Sequence, residues 1–171
     1  MVTLIIGGAR SGKSSFALAE ASMLAGRKAY IATCEPLDEE MRQRIKRHRA
    51  ERPEGWDTFE EPLEIVPLLG QLSKSHGVIV IDCLTLWLSN LMHGGRNVVE
   101  EMDAFVSALP AAGLSSGIYI VSNEVGMGIV PDNETARRFR DLAGTLNRRA
   151  AEAAGMVYMT VAGMPVKIKG G

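Results

Sequence analysis

Residues 7–14 read Gly7-Gly8-Ala9-Arg10-Ser11-Gly12-Lys13-Ser14 and follow the apolar run Val2-Thr3-Leu4-Ile5-Ile6. G-x-x-x-x-G-K-S after a buried-strand pattern and before a helical one is a phosphate-binding P-loop in its expected setting. Gly7 and Gly12 allow backbone conformations that let successive N–H groups converge on phosphate oxygens. Lys13 brings a point charge to the β- and γ-phosphates, and the Ser14 hydroxyl can reach a Mg²⁺. The helix that follows adds its positive N-terminus. These residues predict nucleotide binding.

Other residue types suit the same chemistry. Asp82 ends the run Val78-Ile79-Val80-Ile81-Asp82. This is the Walker-B position, where a carboxylate orients Mg²⁺ at the carboxyl end of a strand; the plainer alternative is a cap on the next segment. The metal is expected to keep several waters and to use substrate phosphates as ligands. His48 stands among Arg44, Lys46, Arg47, Arg49 and Arg52. Such charges favour the neutral, nucleophilic imidazole and can hold a polyphosphate. The stretch reads equally well as a solvated helix face. Glu60 reads as surface, or as a partner for a ribose hydroxyl or base N–H. His76 and His93 read as structural, and Trp56 and Trp87 as packing residues. The loop Asn123-Glu124-Val125-Gly126-Met127-Gly128-Ile129-Val130-Pro131 is placed at the sheet edge where substrates bind. After it, Arg137, Arg138 and Arg140 open a long helix, with at least one expected to face an anion.

The elements that must position these residues alternate. Strands are expected at Val2–Ile6, Lys28–Thr33, Val78–Asp82, Ile118–Ser122, Met156–Val161 and Val166–Lys169, the last pairing back through Gly163-Met164-Pro165. Helices are expected at Lys13–Leu24, Glu39–Arg49, Leu63–Ser73, near Leu84–Leu91, Val99–Leu109 and Thr135–Ala154. Short apolar strands separated by helices predict an α/β, mostly parallel sheet covered on both faces. Residues 35–62 form a charged insertion within a single domain spanning 1–171.

With 46% hydrophobic and 23% charged residues, the composition is that of a soluble globular chain, and the net charge of −1 provides no global field for nucleic acid or anionic membranes. No apolar run approaches the ~20 residues of a bilayer span, and the first run enters the P-loop rather than a cleavage site. Cys34 and Cys83 end apolar runs without metal-ligand spacing, so a reduced, cytoplasmic protein is expected.

The chain resembles the bifunctional adenosylcobinamide kinase / adenosylcobinamide-phosphate guanylyltransferase family of cobalamin biosynthesis over nearly its whole length. The resemblance is carried by the P-loop, Tyr30-Ile31-Ala32-Thr33, the Arg44…His48…Arg52-Pro53…Trp56 stretch, the Asn123–Pro131 block and Phe139-Arg140-Asp141-Leu142-Ala143-Gly144…Asn147. It implies a RecA-like P-loop NTPase sheet with a C-terminal antiparallel pair, a homotrimer, and two reactions. ATP or GTP phosphorylates adenosylcobinamide, and GTP then donates GMP to adenosylcobinamide phosphate through a guanylyl-histidine, here His48. By the same resemblance GTP contacts Gly7–Ser14, Ala32, Thr33, Cys34, Arg49, Ala50, Glu51, Arg52, Glu60 and Asp82, with backbone contacts expected at Cys34, Ala50 and Glu51. One nucleotide pose does not obviously serve both steps, so either the nucleotide rebinds or the His48 segment moves. The competing readings are a simple P-loop kinase of another small alcohol, which leaves His48 without a task, and a nucleotide-sensing module that binds GTP with no turnover on adenosylcobinamide.

Overall fold

The computed structural model describes residues 1–35, 39, 42, 43, 46, 49 and 54–171. Seven strands form one sheet in the order β3-β2-β4-β5-β1-β6-β7. They are β1 (Val2–Gly7), β2 (Lys28–Ala32), β3 (Trp56–Glu60), β4 (Val78–Asp82), β5 (Gly117–Asn123), β6 (Met156–Val161) and β7 (Met164–Lys169). The first six pair in parallel, and β7 runs antiparallel to β6. The helices described are α1 (Lys13–Ser22), α2 (Ile65–Leu72), α3 (Leu84–His93), α4 (Val98–Ser115) and α5 (Glu134–Ala153).

The two-residue period of the strands sorts their side chains onto two faces. Leu4, Ile31, Ile79, Ile81, Ile118 and Ile120 join α2, α3, α4 and α5 in one core cluster. Ile5, Tyr30, Val78, Val80, Tyr119 and Val121 meet Ala17, Leu18 and Ala21 of α1 in the other. Both faces are therefore apolar, which explains why the central strands read as continuous hydrophobic runs.

The expected architecture is present, with three local differences. The insertion contributes a strand, β3, that its polar residues conceal: Trp-Asp-Thr-Phe-Glu is only half-buried, as suits the sheet's edge. α4 continues past Pro110 to Ser115. Leu109 and Ala112 are buried there, and Gly113 lies against Val2, so packing carries the helix through a residue that lacks an N–H. The final turn is Ala162-Gly163, both with positive φ, and Met164 and Pro165 already belong to the edge strand β7. The expected helix 39–49 lies largely outside the described residues.

Candidate nucleotide site

The loop between β1 and α1 depends on glycine at Gly7 and Gly12. A Cβ on Gly7 would come within 2.6 Å of Thr160 O, and within 2.7 Å of Ser11 Oγ, so only glycine fits. Gly12 has φ +90° and sits 3.2 Å, by its would-be Cβ, from Gly163 Cα. Both observations follow from one packing arrangement, in which the β6–β7 turn braces the loop from outside. Ser11 Oγ and Thr160 Oγ1 are 2.7 Å apart, and Gly163 N donates to Ser11 O at 3.1 Å. Lys13 is buried and donates through Nζ to Gly8 O at 2.5 Å, which holds its ammonium over the loop. Ser14 follows in the first turn of α1.

Strand register brings the other candidates to the same edge. Ala32 on β2 is aligned with Glu60 on β3 and with Asp82 on β4. Gly7 is aligned with Asn123 on β5. The carboxyl ends of five parallel strands therefore present Glu60, Ala32, Asp82, Asn123 and Gly7 at one edge, where open α/β sheets bind ligands. Thr33 N donates to Asp82 O at 3.0 Å, and Thr33 Oγ1 bonds both the carbonyl and the N–H of Cys83 at 2.8 Å. Glu60 is exposed and pairs with Arg49 at 2.7 Å, which places that one guanidinium at the end of β3. His48, Ala50, Glu51 and Arg52 lie outside the described residues.

Two features escape the sequence reading. Tyr30, fully buried, donates its hydroxyl to Asp82 Oδ2 at 2.6 Å and fixes that carboxylate. The available signal was the strand period, which puts Tyr30 and Asp82 on the α1 side. The second is a chain of polar groups beneath the edge. Asn123 Nδ2 donates to Thr85 Oγ1 at 2.7 Å, Asn147 Nδ2 to Asn123 O at 3.0 Å, Ser122 Oγ to Asn147 Oδ1 at 2.6 Å, and Asn90 Nδ2 to Thr33 O at 2.8 Å. These bonds satisfy buried polar atoms and fix the edge.

Cys83 is buried; burial, and then the charge of Asp82, pushes its thiol up to about 11. Cys34 and Cys83 are not joined in a disulfide. His76 is buried between Ser75 Oγ and Asp57 Oδ2, at 2.9 and 3.0 Å, a structural role. Exposed His93 bonds back to Ser89 O at 2.7 Å. Trp87 is fully buried and donates to Leu63 O at 2.9 Å, and Trp56 packs against the α1-side core. Among the described residues no three His, Cys, Asp or Glu side chains gather as a metal cluster, and no helix is long and apolar enough to cross a membrane.

The braced glycine loop, its lysine and the carboxyl-edge acid two strands away define a P-loop nucleotide-binding protein of RecA-like fold. The RadB recombinase structure has this fold in common with it, with a TM-score of 0.52 at 15% identity, covering 92% of this chain and 73% of that one.

Within that class, residues 3–168 match the CobU family, cobinamide kinase / cobinamide phosphate guanyltransferase. The chain belongs to this family. It is 44% identical to the bifunctional adenosylcobalamin biosynthesis protein CobP of Pseudomonas aeruginosa, over 99% of this chain and 98% of that one. It is 40% identical to the bifunctional adenosylcobalamin biosynthesis protein CobU of Escherichia coli strain K12, over 99% of this chain and 100% of that one. The CobU of Salmonella typhimurium is also 40% identical, with the same coverage.

Proposed function

We propose that this chain carries out both reactions named by its family, with the sheet's carboxyl edge as the nucleotide site and His48 as the guanylyl carrier. In the kinase step the hydroxyl oxygen of adenosylcobinamide's aminopropanol arm attacks the γ-phosphorus of ATP or GTP. The bond to the β–γ bridging oxygen breaks, the nucleoside diphosphate leaves, and the hydroxyl proton passes to solvent. In the transferase step an imidazole nitrogen of His48 attacks the α-phosphorus of GTP. A P–N bond forms, the bond to the α–β bridging oxygen breaks, and pyrophosphate departs. A phosphate oxygen of adenosylcobinamide phosphate then attacks the same phosphorus and the P–N bond breaks. The product is adenosylcobinamide-GDP, and His48 is restored. The covalent stage divides one hard displacement into two.

The residues suit these roles. The P-loop amides and the Lys13 ammonium stabilise charge on the phosphates as it moves in the transition state. Ser14 and Asp82 offer hard oxygen donors, the chemistry that Mg²⁺ prefers, with Tyr30 orienting Asp82. When bound, Mg²⁺ supplies charge neutralisation on the phosphate oxygens. Ala32, Thr33, Cys34, Arg49, Ala50, Glu51, Arg52 and Glu60 complete the GTP contacts in this reading. The observation that carries it is the Arg49–Glu60 pair at 2.7 Å, which joins the residue after His48 to the row that holds Asp82. By similarity to its family, the working unit is a homotrimer in the cytoplasm.

The test is label transfer to the corrinoid. With α-labelled GTP and adenosylcobinamide phosphate, label is expected in the corrinoid product; with γ-labelled nucleotide and adenosylcobinamide, the phosphorylated corrinoid is expected to carry it. Label from the γ position but never the α position is the result that contradicts a bifunctional enzyme.

A further inference from the structure

Two sequence blocks that nucleotide binding leaves without a task meet on one surface. Gly126 and Val130 of the loop after β5 face Arg137, Arg140, Asp141, Gly144, Thr145 and Arg148 of α5 across a groove of about 660 Å³. The α5 residues recur at three- and four-residue steps, so they form one stripe of the helix.

The groove is cationic. Arg140 donates to Gly126 O at 2.6 Å, and Arg137 donates to Asp132 O at 2.6 Å and Pro131 O at 3.1 Å. Among the described residues neither guanidinium meets a carboxylate in an ion pair, and each has further N–H donors beyond those the loop uses. Arg148, paired with Glu152 at 2.6 Å, closes the far end. The floor is open at Gly144. A glycine inside a helix costs roughly 0.5–1 kcal/mol relative to alanine. Gly113 of α4 has a packing reason, since its would-be Cβ meets Val2 at 2.8 Å, but a Cβ on Gly144 would meet nothing within 4 Å. The surface over Gly144 is therefore open, as it also is over Gly70 of α2, but only at Gly144 does the opening lie between arginines. Between Gly126 and Val130 the loop carries apolar side chains into solvent, with Met127 77% exposed and Ile129 96% exposed.

The groove also adjoins the nucleotide edge. Glu124 N donates to Gly7 O at 2.9 Å, and Asn147 of α5 bonds Asn123 O. The loop wall is thus tied to the first residue of the phosphate loop, and the helix wall to the end of β5 beside it.

We propose that this groove seats the guanylyl acceptor, adenosylcobinamide phosphate. The phosphate monoester lies against Arg137 and Arg140, the arm passes over Gly144, and the corrin ring rests on the loop that carries Met127, Ile129 and Val130. Charge complementarity favours an anion, and the exposed apolar side chains of the adjoining loop favour one that carries a broad, partly apolar body. GTP has no such body, and its phosphates already have the P-loop. The assignment rests on the function proposed above and names where its second substrate binds.

The full-length Gly144→Leu variant fills the floor while leaving every loop-holding bond intact, and leucine is the better helix former. Its affinity for adenosylcobinamide phosphate, followed by the visible absorbance of the corrin in equilibrium dialysis, is expected to fall by about tenfold or more. Its affinity for GTP and the amount of GMP bound covalently from GTP alone are expected to match wild type. Arg137→Glu is expected to weaken binding of the phosphorylated corrinoid more than that of adenosylcobinamide itself. Wild-type corrinoid affinity in Gly144→Leu overturns the proposal, as does an equal loss of GTP affinity. Dissociation of an oligomer in Gly144→Leu with corrinoid affinity intact also overturns it, in favour of a second copy of the chain on this face. Failure of wild type to form a GMP adduct, with groove-dependent corrinoid binding retained, sinks the histidine mechanism and leaves this site standing.

Discussion

Tyr30 is a residue whose consequence exceeds its prominence. Its hydroxyl holds Asp82 Oδ2 at 2.6 Å, on the face of the sheet shared with α1. Tyr30→Phe keeps the ring and removes that bond. The half-saturating Mg²⁺ concentration for GTP binding is expected to rise by about two- to tenfold, the equivalent of one hydrogen bond. An unchanged Mg²⁺ titration contradicts the positioning role. In the proposed function Lys13 acts on the phosphates themselves, so Lys13→Ala is expected to lower kcat for both label transfers by about 10²–10³-fold. At this scale the glycine loop of the candidate site was legible. Gly7 through Ser14 announce themselves because phosphate binding needs these residue types at this spacing. Tyr30 stayed hidden because a hydrogen bond between strands depends on register, which spacing along the chain does not reveal.

Among the elements, β3 is the one whose attachment responds to pH. Asp57 on this edge strand accepts from Arg27 Nε at 2.7 Å and lies 3.0 Å from His76 Nε2. The His76 bond first, and Arg27 second, hold its carboxyl below the ordinary 3.8. A lowered carboxylate value means that the folded state binds fewer protons than the unfolded one. The stabilisation is therefore present above the ordinary value and is lost as pH falls through the folded one. Melting temperature in the wild type is expected to drop more steeply between about pH 5 and pH 3 than in Asp57→Asn. Parallel acid limbs in the two proteins contradict this. The strand itself was missed in the sequence because an edge strand with one solvated side needs no apolar run, and its half-burial arises only once β2 lies beside it. The buried strands β1, β4 and β5 read easily, because both of their faces are covered.

For the whole molecule, the sheet separates two cores, and the larger one also supports the site. Trp87 is fully buried there, rests against Phe105 at a centroid distance of 5.3 Å, and bonds Leu63 O. Trp87→Ala is expected to reduce unfolding free energy by about 3–5 kcal/mol in urea titrations. A loss under about 1 kcal/mol would show that the cavity collapses and that α3 is not held from this side. Family membership joins these scales, since the match spans residues 3–168 and so covers the core, the edge and the groove alike.

The central claim is that a histidine of this chain becomes bonded to the α-phosphorus of GTP, and intact-mass spectrometry tests it most directly. After incubation with GTP and Mg²⁺, the wild-type chain is expected to gain the mass of one guanylyl group, lost on mild acid treatment, and His48→Ala is expected to gain none. A wild-type mass unchanged by GTP, or an adduct that persists in His48→Ala, contradicts the account.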